Sequence, residues 1–189
     1  MQADAIILMA GDAAYPARLR ECLGHDAPTE LHALGNLELL TPLKTALFCS
    51  TQTPGSIVLK AYDQAARWRD EGRCVISGFH SPVEAECLRV LLRGAQPIVV
   101  CPARSLPQRL PPDWQEPVAK GRLLILSAFG EQERRVTADL AARRNEVVAA
   151  LADEIWFVHI SPGGQMARLA GRPWVRERMV KLDRGTEPR

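Results

Sequence analysis

Five short, almost unbroken apolar runs, separated by longer amphipathic stretches, constrain the fold of this chain more than any other feature. They are Thr45–Ser50 (TALFCS), Arg73–Ser77 (RCVIS), Pro97–Cys101 (PIVVC), Leu123–Ser127 (LLILS) and Glu154–Ile160 (EIWFVHI). A strand with one wet face alternates apolar and polar residues, whereas a run that stays apolar is covered on both faces, as in a parallel sheet. The stretches between them carry helical periodicity. Ile57–Glu71 lines up Val58, Tyr62, Ala65 and Ala66; Pro82–Arg93 starts with a favourable first-turn proline and repeats Val83, Cys87, Val90 and Leu91. Val136–Leu151 repeats Val136, Leu140, Val147, Val148 and Leu151, and a shorter helix is expected over Gly163–Ala170. Strand, helix, strand in this cadence predicts right-handed crossovers and a doubly wound α/β fold, with a mostly parallel sheet and helices on both faces. Pro102–Pro117, with five prolines, is expected to be a loop over the carboxyl end of a strand. Residues 1–44 are expected to form an N-terminal appendage or edge segment packed on the main domain, residues 45–189.

Composition narrows the function classes. The chain is 47% hydrophobic and 24% charged, with 24 Lys+Arg against 22 Asp+Glu, ordinary for a globular protein and unlike disordered, collagenous or coiled-coil sequences. The longest apolar run, Ala5–Ala10, falls far short of the ~20 residues that cross a bilayer. Asp4 precedes it where a signal peptide would be basic, so a soluble cytoplasmic protein is expected, without a membrane partner. A net charge of +2 is a weak sign for nucleic acid, but residues 1–45 hold 3 basic and 6 acidic side chains and leave the rest at +5. The five cysteines lack CxxC or zinc-ligand spacing, and Cys49, Cys74 and Cys101 lie in or beside apolar runs. They are expected to pack as small apolar groups, with no disulfide framework and no metal site.

In a doubly wound sheet, ligands bind beyond the carboxyl ends of the strands. The loops there are Ser50–Ser56, Ser77–Ser81, the Pro-rich segment and Ser161–Gln165, all rich in small or hydroxyl-bearing residues. Gly lets a backbone approach a ligand, and a helix start offers free N–H groups to an anion; any strand-to-helix turn, however, also uses Gly, Ser and Pro. GxxxxGK[ST], GxGxxG, GxSxG and HExxH are all missing, which disfavours a phosphate-loop NTPase, a dinucleotide dehydrogenase and the corresponding hydrolases. No catalytic residue, cofactor or metal ligand is indicated.

The segment Arg144–Gly164 (RNEVVAALADEIWFVHISPGG) resembles the DprA/Smf DNA-processing proteins, in which an Arg-Asn pair opens a helix, followed by an apolar strand and a small-residue turn. TALFCSTQTPGS stands at the family's first-strand phosphate loop, CVISGFHSPVEAECLRVLL at its Ser-Gly turn and helix, and Tyr15-Pro16 with LHALG at the lead-in to its Rossmann-like domain. The resemblance spans roughly residues 15 to 175. It departs at Thr51, where the family has an Arg, at Pro82, where it has a Gly, and at Glu146, where it has a second Arg. At 189 residues the chain is expected to hold the core domain without the winged-helix domain many members carry.

The resemblance implies binding of single-stranded DNA during DNA processing, uptake and recombination, with a RecA-type recombinase as partner; a homodimer is compatible with it. Carried onto this sequence, Arg144 contacts a phosphate with help from Arg143, and Asn145 bonds a neighbouring loop or a base edge. Ser50, Thr51, Ser77, Gly78, Gly163 and Gly164 line the pocket through hydroxyls and backbone N–H groups. Arg104 and Arg109, on the Pro-rich segment, replace the charge missing at Thr51 and Glu146. With so thin a basic complement the expected affinity is about micromolar or weaker. The alternative is a nucleotide-binding regulatory or sensor protein of the wider LOG-like group. That group's Pro-Gly-Gly-x-Gly-Thr signature appears as Pro162-Gly163-Gly164-Gln165-Met166-Ala167 without the downstream Glu, so hydrolysis is not expected.

Overall fold

The computed structural model describes residues 5–180. Its centre is a seven-stranded sheet. The strands are β1 (Ile6–Met9), β2 (Glu30–Gly35), β3 (Lys44–Cys49), β4 (Cys74–Ser77), β5 (Ile98–Val100), β6 (Leu123–Ser127) and β7 (Glu154–His159). Their order is β1-β2-β6-β5-β4-β3-β7. The five strands expected from the apolar runs, β3 to β7, form the parallel part. Every residue of β3, β4, β5 and β6 is buried, which is why these runs show no alternation.

Helices cover both faces. On one lie α2 (Gly55–Asp70), α3 (Pro82–Leu92) and α4 (Pro112–Ala119); on the other lie α1 (Ala17–Leu23), α5 (Ala138–Leu151), α6 (Gln165–Ala170) and the short α7 (Pro173–Arg176). The first core is built from Ala61, Ala65, Trp68, Cys87 and Leu91 against Leu47, Val75, Ile98 and Ile125. The second packs Leu19, Val148, Leu169 and Val175 on Phe48, Ile76, Val99 and Leu124. Trp68 meets Trp156 edge-on at 5.2 Å, and Phe48 stacks on Phe157 at 5.3 Å. Residues 6–9 and 30–35 add two antiparallel strands, β1 pairing with β2 and β2 with β6. Gly35 (φ +115) closes that pairing, since a Cβ there would strike the Leu123 carbonyl. No helix among the described residues is long and apolar enough to cross a membrane.

Two expectations need correction. The Pro-rich segment is a loop only to Pro111, because Pro112 opens α4. A proline fits the first helical position, where its missing N–H is lost anyway. Nor does the Arg-Asn pair open a helix: α5 begins at Ala138, capped by Thr137 Oγ1 accepting from the Leu140 N–H at 3.2 Å. Arg144 and Asn145 therefore sit midway along α5, on its buried side.

The chain steps from β3 to β6 in one direction and then returns to place β7 on the far side of β3. This reversal leaves a crevice at the carboxyl ends of β3 and β7.

Candidate functional site

Serines knit the carboxyl edge of the sheet together. At the crevice, Ser50 Oγ accepts from the Ser161 N–H at 2.9 Å, and the Ser50 N–H donates to the His159 carbonyl at 3.0 Å. Ser161 Oγ in turn donates to the Gln52 carbonyl at 3.3 Å. At the end of β4, Ser77 Oγ donates to the Leu47 carbonyl at 2.7 Å and accepts from the Phe79 N–H at 3.1 Å. Ser127 repeats the device at the end of β6: it donates to the Arg104 carbonyl at 2.7 Å and accepts from the Phe129 N–H at 3.1 Å. Such local hydroxyl bonds hold a strand-to-helix turn in one shape.

Arg144 occupies the centre of this edge and is only 5% exposed. Its Nη1 donates to the Cys101 carbonyl at 3.0 Å and its Nε to Asn145 Oδ1 at 2.7 Å. The guanidinium lies on Gly78, so close that a Cβ at that position would overlap it. One buried cation thus ties α5 to the ends of β4 and β5. Burial pulls Arg144 below its ordinary value, opposed by the negative charge of Glu84; an arginine stays protonated regardless. What remains for a ligand is Nη2, which has no protein partner among the described residues.

Glu84, on the first turn of α3, is the residue that sequence reasoning missed. It is 5% exposed and its two oxygens are fully engaged. Oε1 accepts from the Cys49 N–H at 2.8 Å, and Oε2 from the His80 and Ser81 N–H groups at 2.9 and 3.2 Å. Ser81 Oγ accepts from the Glu84 N–H at 3.2 Å, completing a capping box. Ser81-x-x-Glu84 before an apolar run was the available signal for it. Burial holds the Glu84 carboxyl above its ordinary value, and Arg144 with the three N–H groups offsets this only in part. Between Gly78 and His80, Phe79 takes a left-handed φ of +48°, costly for a bulky residue and sustained here by the bonds on either side.

The other predicted residues divide in two. Ser50, Ser77 and Asn145 are buried, and Gly78 and Gly164 half-buried, along the β5-β4-β3-β7 part of the edge. Thr51, Arg104, Arg109, Arg143 and Gly163 are exposed on its rim. Arg104, Arg109 and Arg143 pair with no carboxylate among the described residues. Glu146, by contrast, does not add free negative charge, because its carboxylate is paired with the Arg172 guanidinium.

Two hollows adjoin the edge. An open trough of about 1470 Å³ runs beside α4 and β2, lined by Leu106, Arg109, Leu110, Phe129, Gly130 and Arg134 among others. A cleft of about 200 Å³ lies between α5 and α6, lined by Asn145, Gln165 and Arg168 among others. Gln165 is held there by its Nε2, which donates to the Ala138 carbonyl at 2.9 Å.

The family model of the DNA recombination-mediator protein A matches residues 6–164. The chain belongs to that family. Among solved structures, DNA processing protein A (DprA) from Streptococcus pneumoniae is similar, with a TM-score of 0.70 at 19% identity over 92% of this chain and 58% of that one. DNA processing protein A from Helicobacter pylori, a protein with a unique single-stranded DNA binding mode, gives a TM-score of 0.68 at 20% identity over 95% of this chain and 81% of that one. The chain therefore spans little more than half the length of the Streptococcus protein. A search of curated proteins finds no match. The sheet with helices on both faces shares its Rossmann-like fold with these structures. Within that frame the structure joins the Ser77-Gly78 turn to the Arg144-Asn145 pair through the guanidinium on Gly78.

Proposed function

We propose that this chain is a DNA-processing protein that binds single-stranded DNA along the carboxyl edge of its sheet, in the cytoplasm and without catalysis. The observation that carries this reading is the set of exposed arginines without carboxylate partners, Arg104, Arg109 and Arg143, around a turn frame held rigid by Arg144. A backbone-directed binder needs cations spaced along an open surface rather than an enclosed pocket. The trough that Arg109 borders, at about 1470 Å³, exceeds the few hundred to ~1,000 Å³ typical of small-molecule sites. A phosphate reaches Arg144 only through Nη2, so Arg144 chiefly positions Gly78 and the ends of β4 and β5. The likeness to the Helicobacter protein supports the choice of ligand.

The nucleotide-sensor alternative would have to use the cleft beside Asn145, Gln165 and Arg168. At about 200 Å³ that space is below the range of pockets that enclose a nucleotide-sized ligand. A RecA-type recombinase as partner and a homodimer belong to the same proposal. Fluorescence anisotropy with a single strand of about 30 nucleotides, set beside AMP and GMP in a thermal-shift assay, tests it. The expected result is anisotropy that rises with protein and falls with salt, without stabilisation by either mononucleotide. Stabilisation by a mononucleotide with no strand binding would replace it with the sensor reading.

A further inference from the structure

We infer that Glu84 is a resident anion that fills the fold's own phosphate nest and thereby sets ligand choice. Free phosphate and mononucleotides are shut out, and a DNA strand is held by its phosphates at the rim. The inference rests on the DNA-binding reading above and adds to it which residue excludes the smaller ligands.

Three backbone N–H groups from two separate loops converge on one point: Cys49 at the end of β3, and His80 and Ser81 in the turn leading into α3. Convergent N–H groups at a strand end, backed by the start of a helix, form the usual cradle for a phosphate. A cation, Arg144, stands behind them, close enough for its charge to act on Glu84. The left-handed Phe79 turns the chain so that the successive N–H groups of His80 and Ser81 face the same way. Donors, helix start and buried cation are therefore all present, yet the group they surround is the protein's own carboxylate. The Glu84 backbone is fixed in α3 by the Ser81 capping bond, and its carboxylate is held by all three N–H groups at once, so the nest is occupied. A phosphate entering here would meet a like charge at short range in a site removed from water, with a single arginine to balance both.

The specificity follows from that occupancy. With the inner nest filled, the remaining cationic positions are the rim arginines, which lie on different loops and act together only on a ligand carrying several phosphates. A mononucleotide engages one of them and gains little.

Thermal unfolding in orthophosphate or dAMP, against sodium chloride of equal ionic strength, tests the assignment on the wild type, Glu84→Ala and Glu84→Ser. The wild type is expected to show the same midpoint in all three solutions. The two variants are expected to be less stable in chloride and to recover several degrees in phosphate, because an external anion replaces the missing carboxylate. Specific stabilisation of the wild type by phosphate or dAMP would overturn the assignment, as would folded variants that gain nothing. If neither variant folds, the wild-type comparison decides alone: silence supports the filled nest and stabilisation refutes it. Anisotropy of the wild type with the same 30-mer is run in parallel. Failure there strikes the DNA reading and leaves the occupied nest standing.

Discussion

Gly78 and Arg144 depend on each other. The missing Cβ makes room for the guanidinium, and the guanidinium supplies the donor for the Cys101 carbonyl. Gly78→Ala is therefore expected to lower stability by about 2–3 kcal/mol through overpacking, read as a lower denaturation midpoint at unchanged slope. The thiols give a second residue-scale prediction. Cys101 and Cys87 are pushed up to about 12 and Cys74 to about 11, each chiefly by burial, and burial raises Cys49 as well. All five thiols are free, and Cys22 is the one that is not buried. Native protein treated with a thiol reagent at neutral pH should label at Cys22 alone, with the remaining four reacting only after denaturation.

At the scale of elements, the parallel strands were legible because full burial leaves an uninterrupted apolar run, and α2, α3 and α5 were legible from their apolar periodicity. β2 was not, since Glu30–Gly35 mixes buried and half-buried residues and pairs antiparallel with the sheet it joins. β1 was masked for the opposite reason: it is an edge strand whose Ile6, Ile7 and Met9 stay exposed. The buried side of Arg144 was hidden because an arginine in an amphipathic stretch reads as solvated, and only the tertiary contact with Gly78 reverses that. Glu84 was missed: the Ser81-x-x-Glu84 spacing carries a capping signal, but nothing local points to its role as acceptor for Cys49, which lies 35 positions away. α5 carries the Arg-Asn pair, so its start matters to the site. Thr137→Ala removes the side-chain cap at its N-terminus and should cost about 1 kcal/mol, measurable by urea unfolding.

The whole molecule is fastened at the pole opposite the candidate site. Arg18, from the N-terminal region, donates to the Ala152 carbonyl at 3.1 Å and to Asp153 at 2.6 Å. Arg178, near the other end, donates to the same Ala152 carbonyl at 2.6 Å. Asp153 also accepts from the Lys44 N–H at 2.8 Å. Burial alone would raise the Asp153 carboxyl, but the Lys44 N–H and Arg18 bonds and the charges of both residues outweigh it and hold it below its ordinary value. A carboxyl lowered in the folded state adds stability above its unfolded value of about 3.9 and loses it as pH falls through the folded value. Asp153→Asn should thus be less stable at neutral pH by about 2 kcal/mol and flatter in its acid response below about pH 4. Equal acid slopes for variant and wild type would remove Asp153 from the balance. The two edges of the sheet differ as well: β7 is bridged by the backbone of Ile155 and Met179, whereas β1 exposes its apolar side chains.

In the proposed function, exposed arginines at the carboxyl edge hold the phosphates of a single strand. Its most direct measurement is the salt dependence of strand binding by the wild type and by the triple variant Arg104→Ala, Arg109→Ala, Arg143→Ala. Three phosphate contacts predict a slope of log affinity against log salt of about −2 for single-stranded DNA, at roughly 0.7 for each contact. The triple variant should bind at least tenfold more weakly at low salt, with a slope near zero. A variant that keeps the wild-type affinity and slope would contradict the account, because the phosphates would then be held elsewhere.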